Sequence, residues 1–281
     1  NDCNPEAMKE IIFPIRQDGL KARAYAGTTY LVSASTIAGM PYASTGDPWK
    51  CMFARENMVE KFFPNKKDIP MATVGDVLKN PSKEEVIAKD SEKGYGTADV
   101  IAKAGDDRAL LYMGVGGCEE GKVRTINPGE AITGPLNGAS FVKWSNLHAD
   151  GTTQHDQNYS DTDFPVFRLA EIYLTRAEAK YRLGQDGLDD ILKVQDRANR
   201  VSKATSVDEQ TLIDEWCREF YMEGRRRSDL VRFGLFTGSK YLWSYKGGAE
   251  NGAGIPAYYD VYPIPDNEIK NNPNMHQNPK Y

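Results

Sequence analysis

The strongest hydrophobic pattern in the chain lies in residues 163–184, DFPVFRLAEIYLTRAEAKYRLG. Apolar side chains recur there at the i, i+3, i+4, i+7 spacing of an amphipathic helix. The residues on this stripe are Val166, Leu169, Ala170, Tyr173, Leu174 and Ala177. Asp163 suits the N-cap, Pro165 the first turn and Gly184 the C-terminal end. The pattern therefore predicts a helix over 163–184.

Two further helices are predicted after it, one from Leu188 to about Val201 and one from about Val207 to Glu223. The small residues Ala170, Ala177 and Ala179 on the first helix allow the second to approach closely. Together the first two helices form a helical hairpin of the tetratricopeptide type.

The N-terminal part predicts short strands and turns. Ile11–Ile15 reads as a strand, and Pro14 places it at a sheet edge. A helix starts at about Thr97, and a strand passes through 110–112. Two more strands are predicted, after the turn in GGCEEGKVRTI (116–126) and in SFVKWSNL (140–147). Residues 20–60 have weak periodicity, which predicts irregular loops with short helices.

The fold class predicted from these patterns is mainly α, with tetratricopeptide-like helical hairpins, a loop-rich region and a few short β-strands. The loop-rich region covers 1–162, including the acidic loop 148–163, and the helical core covers 163–234. Residues 235–281 are rich in proline and asparagine. Proline excludes one regular element there, so we expect a coat laid along a surface.

Charge and cysteine usage exclude several functions. The net charge of −5 disfavours a nucleic-acid partner, and no apolar run reaches the ~18 residues of a membrane span. Four scattered cysteines and three histidines without a C-x-x-C pair disfavour a zinc site. The first residue is Asn1 and no signal peptide follows, which favours a fragment of a longer protein.

Two motifs suggest chemistry but have simpler explanations. GGCEEGK resembles a phosphate-binding loop, but Val123 stands where a hydroxyl is needed, so a hairpin turn is favoured. Asp156, Asp161 and Asp163 provide candidates for glycoside hydrolysis or for a calcium site. Acidic loops are also solvated without any such role, and that interpretation is favoured. No other cofactor is predicted.

Aromatic residues in the predicted loops are the best candidates for binding. Exposed tryptophan and tyrosine rings stack on the apolar faces of sugars, although aromatic residues also dominate protein cores. The candidates are Tyr42, Trp49, Phe53, Trp144 and Tyr159.

The segment REFYMEGRRRSDLVRFG (218–234) interleaves arginines with carboxylates. A nucleic-acid surface would keep its arginines free of carboxylates, so the pattern favours structural ion pairs. The expected members are Glu219, Glu223, Arg226, Asp229 and Arg232.

Three segments in this order, 163–184, 218–234 and YPIPDNEIKNNPNMHQNPKY (262–281), resemble the C-terminal half of the SusD/RagB family. KEIIFPI near the start and GDDRALLY also resemble family motifs. These proteins are outer-membrane lipoproteins of Bacteroidetes that capture glycans. The resemblance implies a non-catalytic protein that binds oligosaccharides or polysaccharides and delivers them to a TonB-dependent, SusC-like transporter. A protein-interaction scaffold and, less favoured, a glycoside hydrolase are the alternatives.

The resemblance also implies that an N-terminal helical half is absent here. Surface exposure at the cell outer membrane would then depend on a lipid anchor outside this chain. The family's sugar-stacking aromatics often lie between the EIIF strand and the DDR motif, which favours Trp49, Tyr42 and Phe53.

The chain departs from the family pattern at several positions. Where this chain has Trp216 and Gln195, the family commonly has arginine. Where it has Leu192 and Lys280, the family commonly has asparagine and glycine, respectively. These departures make individual ion pairs uncertain.

Overall fold

A computed structural model describes residues 9–37, 40–41, 44–49, 51–115, 138–148 and 151–281. It divides into two compact units, Asn1–Met222 and Glu223–Tyr281, here called unit 1 and unit 2. Helices predominate and the strands are few and short, which confirms the predicted fold class. The turn segment GGCEEGK lies outside the described residues.

Unit 1 contains most of the regular elements. Its helices are α1 (Thr28–Ser35), α2 (Glu56–Val59), α3 (Lys83–Lys93), α4 (Thr97–Ala104), α5 (Leu169–Arg182), α6 (Leu188–Arg197) and α7 (Glu209–Phe220). Its strands are β1 (Ile11–Ile15), β2 (Phe53–Ala54), β3 (Leu111–Tyr112), β4 (Ala139–Phe141) and β5 (Phe164–Arg168). Unit 2 contains α8 (Arg226–Arg232) and α9 (Asp266–Asn271).

The helix predicted from Asp163 begins instead at Leu169. Residues Phe164–Arg168 form β5, which pairs antiparallel with β1 and makes a two-stranded sheet. Asp163 does not cap a helix, because its carboxylate accepts a hydrogen bond from Gln17 N (2.9 Å) and pairs with Arg16 (3.1 Å). Pro165 is compatible with a strand of this small sheet, since every strand here is an edge strand.

The predicted helical hairpin is present as α5 and α6. The chain turns between them at Gly187, where a Cβ would lie 2.7 Å from the carbonyl oxygen of Ala177. Only glycine allows this close approach, because the neighbouring atoms belong to the backbone. Helix α6 ends at Arg197, before the predicted Val201, and Asn199 adopts a left-handed φ of 47° just after it.

Helix α3 was not predicted, although its sequence carries a capping box. Ser82 Oγ accepts from Glu85 N (3.2 Å), and the Glu85 carboxylate accepts from Ser82 N (2.7 Å). Gly94 ends the helix with a left-handed φ of 74°. Both signals are readable from the sequence alone.

A buried network of charges connects α7 to the rest of unit 1. Glu219, 3% exposed, accepts hydrogen bonds from Arg108 (3.0 Å), Arg197 (2.5 Å) and Arg168. Glu215 accepts from Arg108 (2.6 Å) and from Gln195 (2.8 Å). Buried carboxylates are tolerated only when they are paired in this way.

The arginine-rich segment continues into unit 2, where α8 holds three of the predicted ion-pair residues. Asp229, 1% exposed, pairs with Arg232 (2.8 Å) and Arg225 (3.5 Å). Arg226 Nη2 donates to the hydroxyl of Tyr241 (2.9 Å). Glu223 lies half-buried in the turn before the helix.

Candidate functional site

Four aromatic side chains meet at the surface of unit 1: Tyr25, Tyr30, Trp49 and Tyr159, here called the aromatic cluster. Tyr25 lies 4.7 Å from Tyr159 and 6.3 Å from Trp49, measured between ring centroids. Tyr30 lies 5.7 Å from Trp49 on the other side. Tyr25 and Tyr30 are 54% and 42% exposed, so the rings form an accessible row.

Helix α1 positions two neighbouring members of this row, Tyr30 and Trp49. Tyr30 projects from the helix itself. The backbone N–H of Trp49 donates to Ser33 O (2.8 Å), and that of Cys51 donates to Ala34 O (3.0 Å). These bonds fix the segment that carries Trp49 against the helix that carries Tyr30.

The loop before β5 brings Tyr159 to the same place. The N–H of Ser160 donates to the Thr29 hydroxyl (3.0 Å) at the start of α1. Asp156 Oδ1 accepts from the N–H groups of Asn158 (2.7 Å) and Tyr159 (3.1 Å), which closes a tight turn under the ring.

Hydrogen bonds of Asn146 and Asp161 hold the loop that carries Tyr159. Asn146, 2% exposed, donates to Asp156 O (2.9 Å), and its side-chain oxygen accepts from Asp161 N (2.9 Å). The Asp161 carboxylate contacts ring nitrogens of His148 (2.9 Å) and His155 (3.0 Å). The backbone beneath Tyr159 is therefore held from several directions.

Polar groups surround the rings. The Arg23 guanidinium lies 4.6 Å from the Tyr159 ring centroid and 3.6 Å from Asp156. Trp49 Nε1 donates to Asp47 (2.8 Å). A side-chain hydrogen bond with Tyr159 raises the pKa of Tyr25, so the Tyr25 phenol stays protonated at neutral pH. The cluster thus combines apolar faces with neutral hydroxyls and charged neighbours.

The structure brings together two of the five predicted aromatics, Trp49 and Tyr159. Trp144 is only 4% exposed, stacks on Phe164 and donates from Nε1 to Met222 O (3.2 Å), so it is a core residue. Phe53 lies in β2 and packs on the core. Tyr42 lies outside the described residues.

Sequence reasoning missed Tyr25 and Tyr30. Tyr25 lies in KARAYAG, which has no run of apolar residues, so its ring has no local hydrophobic stripe to join, whereas Tyr30 directly precedes Leu31 and Val32 in α1. An aromatic residue without apolar neighbours at helical or strand spacing is the signal that would have identified Tyr25.

The three acids of the loop do not converge on one point. Asp156 accepts the hydrogen bonds of the turn and pairs with Arg23. Asp161 contacts the two histidines. Asp163 pairs with Arg16 and accepts a hydrogen bond from Gln17 N. In the described part of the chain, no group of three or more His, Cys, Asp or Glu side chains is arranged to hold a metal ion. None of the described helices is long and apolar enough to cross a membrane.

The likeness to known proteins extends over nearly the whole chain. A model of the SusD family matches residues 9–281. The chain belongs to the SusD family. Its curated relative, the Starch-binding protein SusD of Bacteroides thetaiotaomicron, is 54% identical over 286 residues, which cover 100% of this chain and 51% of the relative. The chain therefore spans about half the length of the SusD protein it matches.

Solved structures of SusD-like proteins share the fold. Surface glycan-binding protein A from B. thetaiotaomicron matches 96% of this chain and 52% of its own, with a TM-score of 0.56 and 17% identity. The same protein in complex with laminarihexaose gives a TM-score of 0.56 at 16% identity. A SusD-like protein from Bacteroides fragilis matches 97% and 54%, with a TM-score of 0.55 and 15% identity.

Proposed function

We propose that this chain is part of a non-catalytic glycan-binding protein, and that the aromatic cluster binds the glycan. The observation that carries the proposal is a surface row of four rings, two exposed and two half-buried, in a chain 54% identical to a protein named for starch binding. Aromatic faces are the usual platforms for the apolar faces of sugar rings, and phenol and indole edges supply hydrogen bonds.

The inclination of the rings favours a curved glycan. Neighbouring rings are tilted by 45° (Tyr25 and Tyr159), 35° (Tyr25 and Trp49) and 63° (Tyr30 and Trp49). An extended β-1,4-linked chain would match coplanar rings, whereas an α-1,4-linked glucan coils and turns successive sugars against each other. We therefore infer that the ligand is an α-glucan of the starch type.

The charges near the cluster support binding without hydrolysis. A general acid for glycoside cleavage needs a raised pKa. Backbone hydrogen bonds, that of Asn158 first, instead lower the pKa of Asp156, which keeps it ionised at neutral pH. Asp161 and Asp163 are each engaged by basic side chains.

The cellular setting belongs to the same proposal. Family membership supports exposure at the surface of the outer membrane, a lipid anchor outside this chain and a SusC-like, TonB-dependent transporter that receives the glycan. Co-purification of such a transporter with the tagged protein from its native membrane is the expected result. A protein that elutes alone after mild solubilisation would contradict this part of the proposal.

Titration calorimetry with maltoheptaose tests the binding site. Trp49→Ala removes the ring that contacts both Tyr25 and Tyr30, so we expect the affinity to fall about tenfold or more, or ~1.4 kcal/mol. Tyr181→Ala is the matched control, because Tyr181 is 37% exposed on α5 and belongs to no ring contact in the cluster.

Two results would contradict the proposal. One is a Trp49→Ala variant that keeps both the affinity and the number of binding sites of the wild type. The other is release of shorter sugars from maltoheptaose by the wild-type protein, because turnover would make the protein an enzyme.

A further inference from the structure

A second group of exposed aromatic rings lies in unit 2, near the end of the chain. It consists of Tyr258, Tyr259 and Tyr281, whose rings contact one another, and of Tyr262, whose ring lies over the Arg227 guanidinium. These four residues are here called the tyrosine platform. Tyr258 and Tyr259 are stacked with centroids 4.4 Å apart, and Tyr281 stands edge-on to Tyr258 at 5.2 Å. Tyr262 is 66% exposed, and Tyr259 and Tyr281 are each 41% exposed.

The platform is held rigidly by bonds between two segments of the tail. The Tyr281 hydroxyl donates to Val261 O (2.9 Å), and Asn278 Nδ2 donates to Tyr262 O (2.7 Å). Gln277 makes two hydrogen bonds of 2.8 Å with the backbone of Ile264. Rings fixed before a ligand arrives lose little entropy on binding it.

Arg227 supports the platform from below. Its guanidinium lies 3.7 Å from the ring centroid of Tyr262 and 4.8 Å from that of Phe236, and Nη2 donates to Tyr259 O (2.6 Å). One face of the Tyr262 ring is therefore covered by a cation. Because the side chain is two-thirds exposed, the opposite face is open to solvent.

The construction parallels that of the aromatic cluster. Each site has two tyrosines with interacting hydroxyls, and in each the hydroxyl contact raises the pKa of one phenol, Tyr25 or Tyr258. Each also has a third ring at an angle to the pair and an arginine against a tyrosine face. The two sites offer the same chemistry, namely open phenol faces with neutral hydroxyls at their edges.

The exposed area decides between a sugar and a protein as the occupant. At roughly 200 Å² per aromatic side chain, Tyr259, Tyr262 and Tyr281 expose on the order of 300 Å². A stable protein–protein interface needs about 800 Å² from each partner. The platform therefore matches a few sugar rings, whereas a protein partner would have to bury most of its interface elsewhere.

We propose that the tyrosine platform is a second glycan-binding site, which takes neutral sugars of the same class as the aromatic cluster. The ligand class rests on the proposed function, whereas the location in unit 2 rests on the geometry of the tyrosines. A polymeric glycan presents many equivalent segments, so a protein with two such sites can hold one polymer at more than one place.

The test is titration calorimetry of the intact protein with maltoheptaose, in four forms: wild type, Trp49→Ala, Tyr262→Ala and the double variant. We expect two binding sites per wild-type molecule. Tyr262→Ala should remove one site and leave the affinity of the other within twofold. Trp49→Ala should leave a residual site that the double variant lacks. Unchanged melting temperatures confirm folding, since Tyr262 is mostly exposed, and Tyr181→Ala is the control.

The outcomes separate this proposal from the one on which it rests. Binding at one site that Trp49→Ala abolishes and Tyr262→Ala leaves unchanged would overturn the platform and keep the aromatic cluster. Binding that only Tyr262→Ala removes would support the platform and overturn the cluster. A wild-type protein that does not bind maltoheptaose overturns both.

Discussion

Asp229 shows that an ion pair can be well formed and still contribute little. Its carboxylate is buried, and burial raises its pKa above the usual 3.8 despite the attraction of Arg225, Arg232 and Arg226. A raised pKa means that the ionised carboxylate is less favourable in the folded protein than in the unfolded chain. At neutral pH the arginines therefore do not fully offset the cost of desolvating that carboxylate.

We predict that Asp229→Ala lowers the melting temperature, whereas Asp229→Asn stays close to wild type. Alanine loses the bond to Arg232 and leaves a buried gap, at a cost of about 1–3 kcal/mol. Asparagine keeps the shape and an acceptor without the buried charge. Thermal denaturation at pH 7 measures the difference, and a loss in Asp229→Asn as large as in Asp229→Ala would show that the charge itself is stabilising.

Arg226 provides the comparison within the same helix. It is half-buried, and Arg226→Ala removes the hydrogen bond to Tyr241, so a smaller loss of ~1 kcal/mol is expected. Both alanine variants should bind maltoheptaose at the aromatic cluster as the wild type does, because that cluster is built from residues of unit 1 and both changes lie in unit 2.

Departures from the family pattern have identifiable consequences at this scale. Gln195 replaces an expected arginine, and its amide donates to Glu215 (2.8 Å) and accepts from Ala204 N (2.8 Å), so the position remains a donor without a charge. Lys280, where the family usually has glycine, adopts a φ of 76°, which glycine adopts without strain. The sequence indicates both departures, and the structure shows the hydrogen bonds of Gln195 and the backbone angle of Lys280 that result from them.

The turn between α5 and α6 is the most constrained point among the elements. Gly187→Ala would place Cβ within 2.9 Å of both the carbonyl oxygen and the Cα of Ala177. We predict a loss of roughly 1–3 kcal/mol, typical of overpacking, because backbone atoms cannot move aside without separating the helices. Chemical denaturation followed by circular dichroism measures it.

Gly75→Ala is the control for that variant. Gly75 is exposed, and the nearest atom to its Cβ would be Thr73 Oγ1 at 3.9 Å. A Gly187→Ala protein as stable as Gly75→Ala would show that the hairpin opens freely.

The type of an element could be predicted where its local periodicity matched the tertiary packing, as in α5 and α6. The start of α5 could not be predicted, because Val166 fits the apolar spacing of a helix and that of a strand equally well. The partner strand β1 decides the outcome, and it lies about 150 residues earlier, as the pairing of Pro14 with Pro165 shows. Pairing at that distance leaves no trace in a local window.

For the molecule as a whole, the candidate site was only partly predictable for the same reason. Trp49 and Trp144 look alike in sequence, each followed or preceded by lysine in a loop. One is in an exposed row of rings, and the other is buried because its indole reaches Met222, 78 residues away. The exposure of a side chain depends on the folded unit. The sequence therefore identifies which aromatic residues are candidates, and only the fold determines which of them reach the surface.

The buried charges of unit 1 govern its response to acid. Burial alone would raise the pKa values of Glu215 and Glu219, but the arginines outweigh it and hold both below the usual 4.5. Asp106, paired with Arg108 and Arg200, is likewise held below 3.8. The folded protein therefore releases these protons more readily than the unfolded chain.

The sign of the pH dependence follows from this difference. As the pH falls below about 4.5, the unfolded chain takes up protons that the folded protein resists, so stability present near neutral pH is lost. By pH 3.5, one pH unit below the usual pKa of a glutamate, each such carboxyl has cost at most about 1.4 kcal/mol, and each kcal/mol corresponds to about 2–4 °C in a domain of this size. We expect the melting temperature to fall by roughly 10 °C or more between pH 6 and pH 3.5.

Glu219→Gln separates this effect from general acid denaturation. The amide cannot ionise and leaves three arginines without their shared carboxylate, so the variant should melt lower than wild type at pH 6. Between pH 6 and pH 3.5 its melting temperature should fall less, because one of the depressed carboxyls is gone. Parallel pH profiles for the two proteins would show that Glu219 does not link folding to protonation, and the acid sensitivity would then have to come from other carboxylates.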